Sequence, residues 1–175
     1  GPHHVVVGVT GGIAAYKACI LVRLLMKSGL DVTVVPTRAA LDMVGRTTWE
    51  ALTGKPVHSD VIDDAAGVAH VRIGQEADLV IVAPATANTI AKIRGGIADN
   101  LLTSAILVAT CPVIVAPAMH TEMWLNPATQ ENIAVLRERG LTVLDPAVGR
   151  LTGPDSGPGR MPEPQLLAEL VLAHL

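Results

Sequence analysis

The stretch ADLVIVAPATANTIAK, Ala77–Lys92, changes character halfway along. Ala77–Ala85 is apolar and rich in β-branched residues, with no alternation of polar positions. It therefore reads as a strand buried on both faces, which is the strand type of a parallel sheet covered by helices. Thr86–Arg94 then reads as a helix, entered through a polar turn. One such strand-to-helix step implies others.

Working outward, four more segments look like strands: His3–Thr10, Leu30–Thr37, CPVIVAPA (Cys111–Ala118) and LTVLDP (Leu141–Pro146). Between them lie helical patterns at Ile13–Gly29, with Gly29 as C-cap, at Asp99–Ala109 and at Pro127–Arg139. The less regular stretch Arg38–Asp64 holds short helices around Leu41–Val44 and Trp49–Leu52, and Gln165–Leu175 closes the chain as a helix. Gly149–Pro164 has no periodicity. Strands alternating with helices in units of roughly thirty residues indicate βαβ crossovers. The expected fold is α/β: an open, mostly parallel sheet with helices on both faces, Rossmann-like or flavodoxin-like.

Composition agrees. The chain has 175 residues, half of them hydrophobic, which suits one domain over 1–175. With no Phe, one Tyr and two Trp, the core falls to Ala, Val, Leu and Ile. Mean hydropathy is +0.45, yet no apolar run reaches the length of a membrane span. A net charge of −3 disfavours a nucleic-acid partner. Cys19 and Cys111 are too few for a disulfide framework or a zinc site, so buried thiols in a reducing cytoplasm are expected. Gly1-Pro2-His3-His4 looks more like an expression remnant than a targeting signal.

In open sheets ligands bind beyond the carboxyl ends of the strands, so the segments that follow strands carry the functional information. GVTGGIAA, Gly8–Ala15, could bring backbone amides to a phosphate at a helix start. Its spacing fits neither a dinucleotide fingerprint nor a P-loop, so a mononucleotide phosphate and a bare tight turn both remain open. In PATANT, Pro84–Thr89, capping alone would need one of Thr86, Asn88 and Thr89. Three are a surplus, which points to a phosphate or the polar edge of a ring. In PAMHTEMW, Pro117–Trp124, two methionines, a histidine and a tryptophan crowd a turn that could be core or the wall of a site. His70 stands alone just before the third strand, and matters only as a second imidazole within reach of the same cleft. GRLTGPDSGPGRMPEP, Gly149–Pro164, is long enough to be a lid, or else a connector to another domain.

Together these segments resemble the flavin-containing cysteine decarboxylases, and within them the phosphopantothenoylcysteine decarboxylases. PATANT resembles the family's P-A-S-A-N-T, PAMHTEMW its P-x-M-N-x-x-M-W, and GPGRM (Gly157–Met161) its substrate-flap motif. The resemblance covers nearly the whole chain. It implies FMN as cofactor, with Gly11, Gly12, Ile13 and Ala14 around the phosphate. Thr37, Arg38 and Ala39 would complete the flavin site with Thr86, Ala87, Asn88 and Thr89, and Ala118 and Met119 would line it. His70 would be the base. His120 would contact the substrate's carboxylate beside Met119, and Arg150, Leu151 and Thr152 would belong to a flap over about 149–164. Met123 and Trp124 keep the plainer role of packing the turn.

The implied reaction converts 4'-phosphopantothenoylcysteine to 4'-phosphopantetheine in coenzyme A biosynthesis, through a thioaldehyde and an enethiol. The family assembles as trimers, or dodecamers of trimers, with sites at subunit interfaces. Many bacterial members are fused to a phosphopantothenoylcysteine synthetase half, and an end so soon after the flap fits a piece of such a chain. Two departures stand out: His120 replaces the family's asparagine, and the flap cysteine, proposed proton donor, falls at Gly153. The second change favours an alternative that stops at the enethiol, as oxidative decarboxylases of a peptide's C-terminal cysteine do. A non-catalytic flavin-binding interaction protein is the alternative from another class.

Overall fold

The computed structural model describes residues 1–59, 69–150 and 156–175. Its centre is a five-stranded sheet of β1 (His4–Val9), β2 (Asp31–Pro36), β3 (Leu79–Ala85), β4 (Val113–Pro117) and β5 (Thr142–Val143). The strand order is β2-β1-β3-β4-β5 and every neighbouring pair is parallel. Every residue of β3 is buried, as its unbroken apolar run predicts. The chain leaves β1 outward to β2 and returns to β3 on the other side, so the switch in direction falls between β1 and β3.

The helices are α1 (Lys17–Lys27), α2 (Arg38–Met43), α3 (Arg46–Thr53), α4 (Ala69–Glu76), α5 (Ala87–Gly95), α6 (Leu101–Val108), α7 (Thr121–Leu125), α8 (Pro127–Glu138) and α9 (Pro164–Ala173). They cover both faces. Val5, Val7 and Val9 of β1 join Leu21, Val22 and Leu25 of α1 and Leu167 and Val171 of α9 in one core. Val6 points the other way, with Val80 and Val82, into a second core under Leu101, Leu102 and Leu136. This alternation is the period-two pleat of a strand sandwiched between layers. Each fully buried Leu, Ile or Val contributes about 1.5–3 kcal/mol, so the aliphatic composition suffices without Phe.

Four sequence expectations need correction. The pattern from Ile13 opens as a 3-10 turn, Ile13–Tyr16, before α1 begins. The short helices after β2 start earlier than read, because Thr37 caps α2 by accepting from Ala40 N–H at 3.2 Å. LTVLDP pairs over only two residues; Pro146, without an N–H, cannot extend the ladder. Finally, the segment without periodicity contains an antiparallel pair, β6 (Ala147–Arg150) and β7 (Ser156–Arg160). Gly and Pro carry no alternation to betray it. Among the described residues no helix is long and apolar enough to cross a membrane.

Candidate functional site

Two clefts open at the carboxyl ends of the strands, and both are walled by Gly11 and Gly12 at the end of β1. Their volumes, about 660 and 510 Å³, lie within the range of small-molecule sites, about 300–1,000 Å³. They straddle the switch point, where an α/β sheet offers its ligand crevice.

The first cleft lies between the Gly11–Ala14 turn and the segment Ala118–His120, with Gly159 and Met161 closing one side. The second is lined by Thr37, Arg38 and Ala39 at the start of α2, and by Thr86, Asn88 and Thr89 at the start of α5. Two helix N-termini therefore face the second cleft, and helix N-termini favour anions. The turn fits this geometry closely. A Cβ at Gly11 would lie 2.8 Å from the Ala39 Cβ, so only glycine lets the β1 turn pass this near α2. The walls combine glycines, Ala39 and hydroxyls with the charged side chains of Arg38, Lys92 and Asp99.

PATANT is organised by hydroxyls. Thr86 caps α5, accepting from Thr89 N–H at 3.2 Å. Asn88 and Thr89 line the cleft. Ala87 opens α5 and does not line the cleft.

PAMHTEMW is not an irregular turn but the entry to α7. His120 is the N-cap, its Nδ1 accepting from Glu122 N–H at 3.4 Å, the long end of the range. An acceptor Nδ1 sets the neutral ring's proton on Nε2, a donor suited to a carboxylate. This also accounts for a histidine where the resembling family has asparagine: both can cap. Trp124 is buried in the second core, as expected. Met123 is 50% exposed, so its packing role is not what the structure shows; it falls on the outer side of the short helix.

Strand β7 docks on this same turn. Met119 N–H donates to the Gly159 carbonyl at 2.8 Å, and Thr121 Oγ1 donates to the Pro158 carbonyl at 2.6 Å. At the rim, the Glu163 carboxylate lies 3.5 Å from Lys17 Nζ and 3.2 Å from Arg160 NH2.

Sequence reasoning missed Tyr16 and Lys17 in the first cleft, and Thr10, Lys92 and Asn100 in the second; Arg160 and Met161, both within GPGRM, also line the first cleft. Tyr16 ends the 3-10 turn and Lys17 begins α1; Tyr16 lines the cleft while staying 59% exposed. His70 lies on α4, which packs against α6, and it lines neither cleft. Leu151, Thr152 and Gly153 lie outside the described residues, and Arg150 is known only as the end of β6. The two thiols are elsewhere. Burial raises both above their usual value; Cys19 packs on the first core from α1, and Cys111 precedes β4 at the opposite end of the sheet from the clefts.

Known proteins match this arrangement. A family model described as Flavoprotein covers residues 1–175. The coenzyme A biosynthesis bifunctional protein CoaBC of Mycolicibacterium smegmatis is 61% identical over 171 residues, covering 96% of this chain and 41% of that protein. The chain thus spans well under half the length of the curated relatives it matches. Among solved structures, a PPC decarboxylase mutant complexed with pantothenoylaminoethenethiol superposes with a TM-score of 0.89 at 32% identity, over 99% of this chain and 98% of that one. The FMN-dependent cysteine decarboxylase SpaF gives 0.81 at 31% identity, over 98% and 97%.

Proposed function

The chain belongs to the Flavoprotein family, and we propose that it is a cytoplasmic, FMN-dependent decarboxylase of 4'-phosphopantothenoylcysteine, a single catalytic domain of a longer bifunctional coenzyme A biosynthesis protein. The observation that carries this reading is the junction of the two clefts. The glycine turn, PATANT, PAMHTEMW and GPGRM are far apart in sequence, yet all line one or other of two clefts that share Gly11 and Gly12. The CoaBC relatives and the PPC decarboxylase neighbour support the substrate, and SpaF supports FMN over other flavins.

The bound flavin supplies the two-electron oxidation of the substrate thiol and the later return of those electrons. The rest belongs to this chain. Gly11–Ala14 and the starts of α2 and α5 hold an anionic, ring-bearing cofactor. Ala118 and Met119 give the first cleft an apolar wall, which excludes water from the reacting centre. His120 donates from Nε2 to the substrate carboxylate and orients it. The flap, with Arg150, Leu151 and Thr152, closes over the substrate. His70 serves as base at the cleft of a neighbouring protomer in a trimer, which is consistent with its position away from its own clefts.

A second reading has one observation in its favour. Neither cysteine of the chain lines either of these two clefts, so no thiol is at hand there to protonate an enethiolate. On that reading turnover stops at the enethiol. One experiment separates the outcomes: purify the protein, test FMN uptake, then incubate with phosphopantothenoylcysteine and weigh the product. Phosphopantetheine supports the first reading, an accumulating enethiol the second. No turnover by an FMN-loaded protein leaves a flavin-binding interaction protein, and no FMN uptake overturns all three.

A further inference from the structure

Thr10 sits at the end of β1, 1% exposed, and does the work that a strand ladder cannot do at that point. The parallel pairing of β1 with β3 runs from Val5–Leu79 to Gly8–Val82 and stops. Pro84 follows, and it has no N–H to continue the ladder. Thr10 bridges the gap with its side chain. Its Oγ1 donates to the Pro84 carbonyl at 2.6 Å and accepts from Thr86 N–H at 2.9 Å. Its own N–H also donates to the Pro84 carbonyl, at 3.2 Å.

The consequence reaches the second cleft. Thr86 is the N-cap of α5; its Oγ1 accepts from Thr89 N–H and donates to the Thr89 hydroxyl, both at 3.2 Å. Fixing Thr86 N–H thus fixes the cap, and the cap sets where Asn88 and Thr89 face the cleft. Thr10 lies between the glycine turn of β1 and the PATANT turn of β3, and its single hydroxyl holds the second in register with the first. We infer that Thr10 is a positioning residue for FMN: its hydroxyl locks the PATANT segment onto the glycine turn, so that both halves of the cofactor site are in place before the cofactor arrives. The inference rests on the flavin reading above and goes beyond it by naming the residue that couples the two halves.

Three proteins test it: wild type, Thr10→Val, which keeps the shape and removes the hydroxyl, and Thr10→Ser, which keeps the hydroxyl and removes the methyl. The measurements are the FMN dissociation constant by flavin fluorescence, the visible spectrum of bound FMN, and the melting temperature. Thr10→Val is expected to weaken FMN by about tenfold or more and shift the bound spectrum, since it leaves the half-buried Thr86 N–H without its Thr10 partner. Thr10→Ser is expected to restore both. A Thr10→Val protein with unchanged affinity and spectrum, whatever its melting temperature, overturns the inference and leaves the flavin reading intact. Should Thr10→Val fail to fold, Thr10→Ser decides: affinity lost there means the hydroxyl is not what positions the segment. Failure of the wild type itself to take up FMN overturns the flavin reading and this inference with it.

Discussion

Met119 and Gly159 are joined backbone to backbone: Met119 N–H donates to the Gly159 carbonyl at 2.8 Å, and a Cβ at position 159 would strike the Met119 carbonyl oxygen. Gly159 also has φ +142, a region other residues rarely adopt. Strand β7 therefore packs its backbone directly against the wall of the first cleft. Gly159→Ala should undock β7 from the turn. With one or two hydrogen bonds lost and backbone strain added, kcat/KM is expected to fall by about tenfold to a hundredfold. FMN binding, held by the other segments, should change little. Steady-state kinetics beside a flavin titration would check this; wild-type kcat/KM would show that flap docking does not matter.

Gly11 and Ala39 make the complementary contact on the cofactor side. Gly11→Ala should force β1 and α2 apart, because the obstacle is a Cβ and cannot rotate away. FMN affinity is expected to drop by about tenfold or more, the scale of a core overpacking of 1–3 kcal/mol. Ala39→Gly in the same protein should recover much of that loss, less the cost of glycine in a helix. A double variant as weak as Gly11→Ala would mean that the alanine acts through something other than this contact.

Much of this was legible in the residues. β3 announced itself by an unbroken apolar run, and the strand-to-helix turns pointed to the cleft because the parallel sheet puts all its strand ends on one side. What escaped detection has physical reasons. β6 and β7 are paired through Gly and Pro residues that carry no alternation, so their register is set by contact with the α7 turn. Tyr16 and Lys17 sit where the 3-10 turn passes into α1, a junction that the continuous helical pattern does not mark. Thr10 was hidden in plain view beside the glycines, since its value depends on Pro84, far away in the chain. His70 is the opposite case: it stood out in the sequence, yet a single protomer does not bring it to the cleft.

His70→Asn should therefore leave FMN binding and its spectrum intact while lowering turnover by about a hundredfold or more, the usual worth of a general base. Mixing it with Gly159→Ala subunits after dissociation should restore part of the activity if base and flap act at one shared site. Full activity in His70→Asn alone would remove His70 from the mechanism.

The thiols offer a test independent of activity. Burial raises both Cys19 and Cys111 above the ordinary thiol value, so at pH 8.5, about where a free thiol is half ionised, each is less ionised in the folded protein than after unfolding. Ellman's reagent is expected to react slowly with the native protein and at once after unfolding. Prompt reaction of a native thiol would mean a more open thiol than the structure has, and would reopen the question of a cysteine acting at the site.

His120 is the last test, because it separates capping from substrate binding at one position. His120→Asn keeps an N-cap acceptor and a neutral donor, so the melting temperature should hold and kcat/KM should stay near wild type. His120→Leu loses both. Losing a cap costs about 0.5–2 kcal/mol, which lowers the melting temperature of a domain this size by a few degrees. Losing a hydrogen bond to a carboxylate costs about 1.5–3 kcal/mol, or about tenfold to a hundredfold in kcat/KM. The two losses appear in different measurements. A His120→Leu protein that melts lower yet keeps wild-type kcat/KM would confine His120 to the cap of α7, and the substrate's carboxylate would then need another partner in the first cleft, where Lys17 and Arg160 are the nearest cationic candidates.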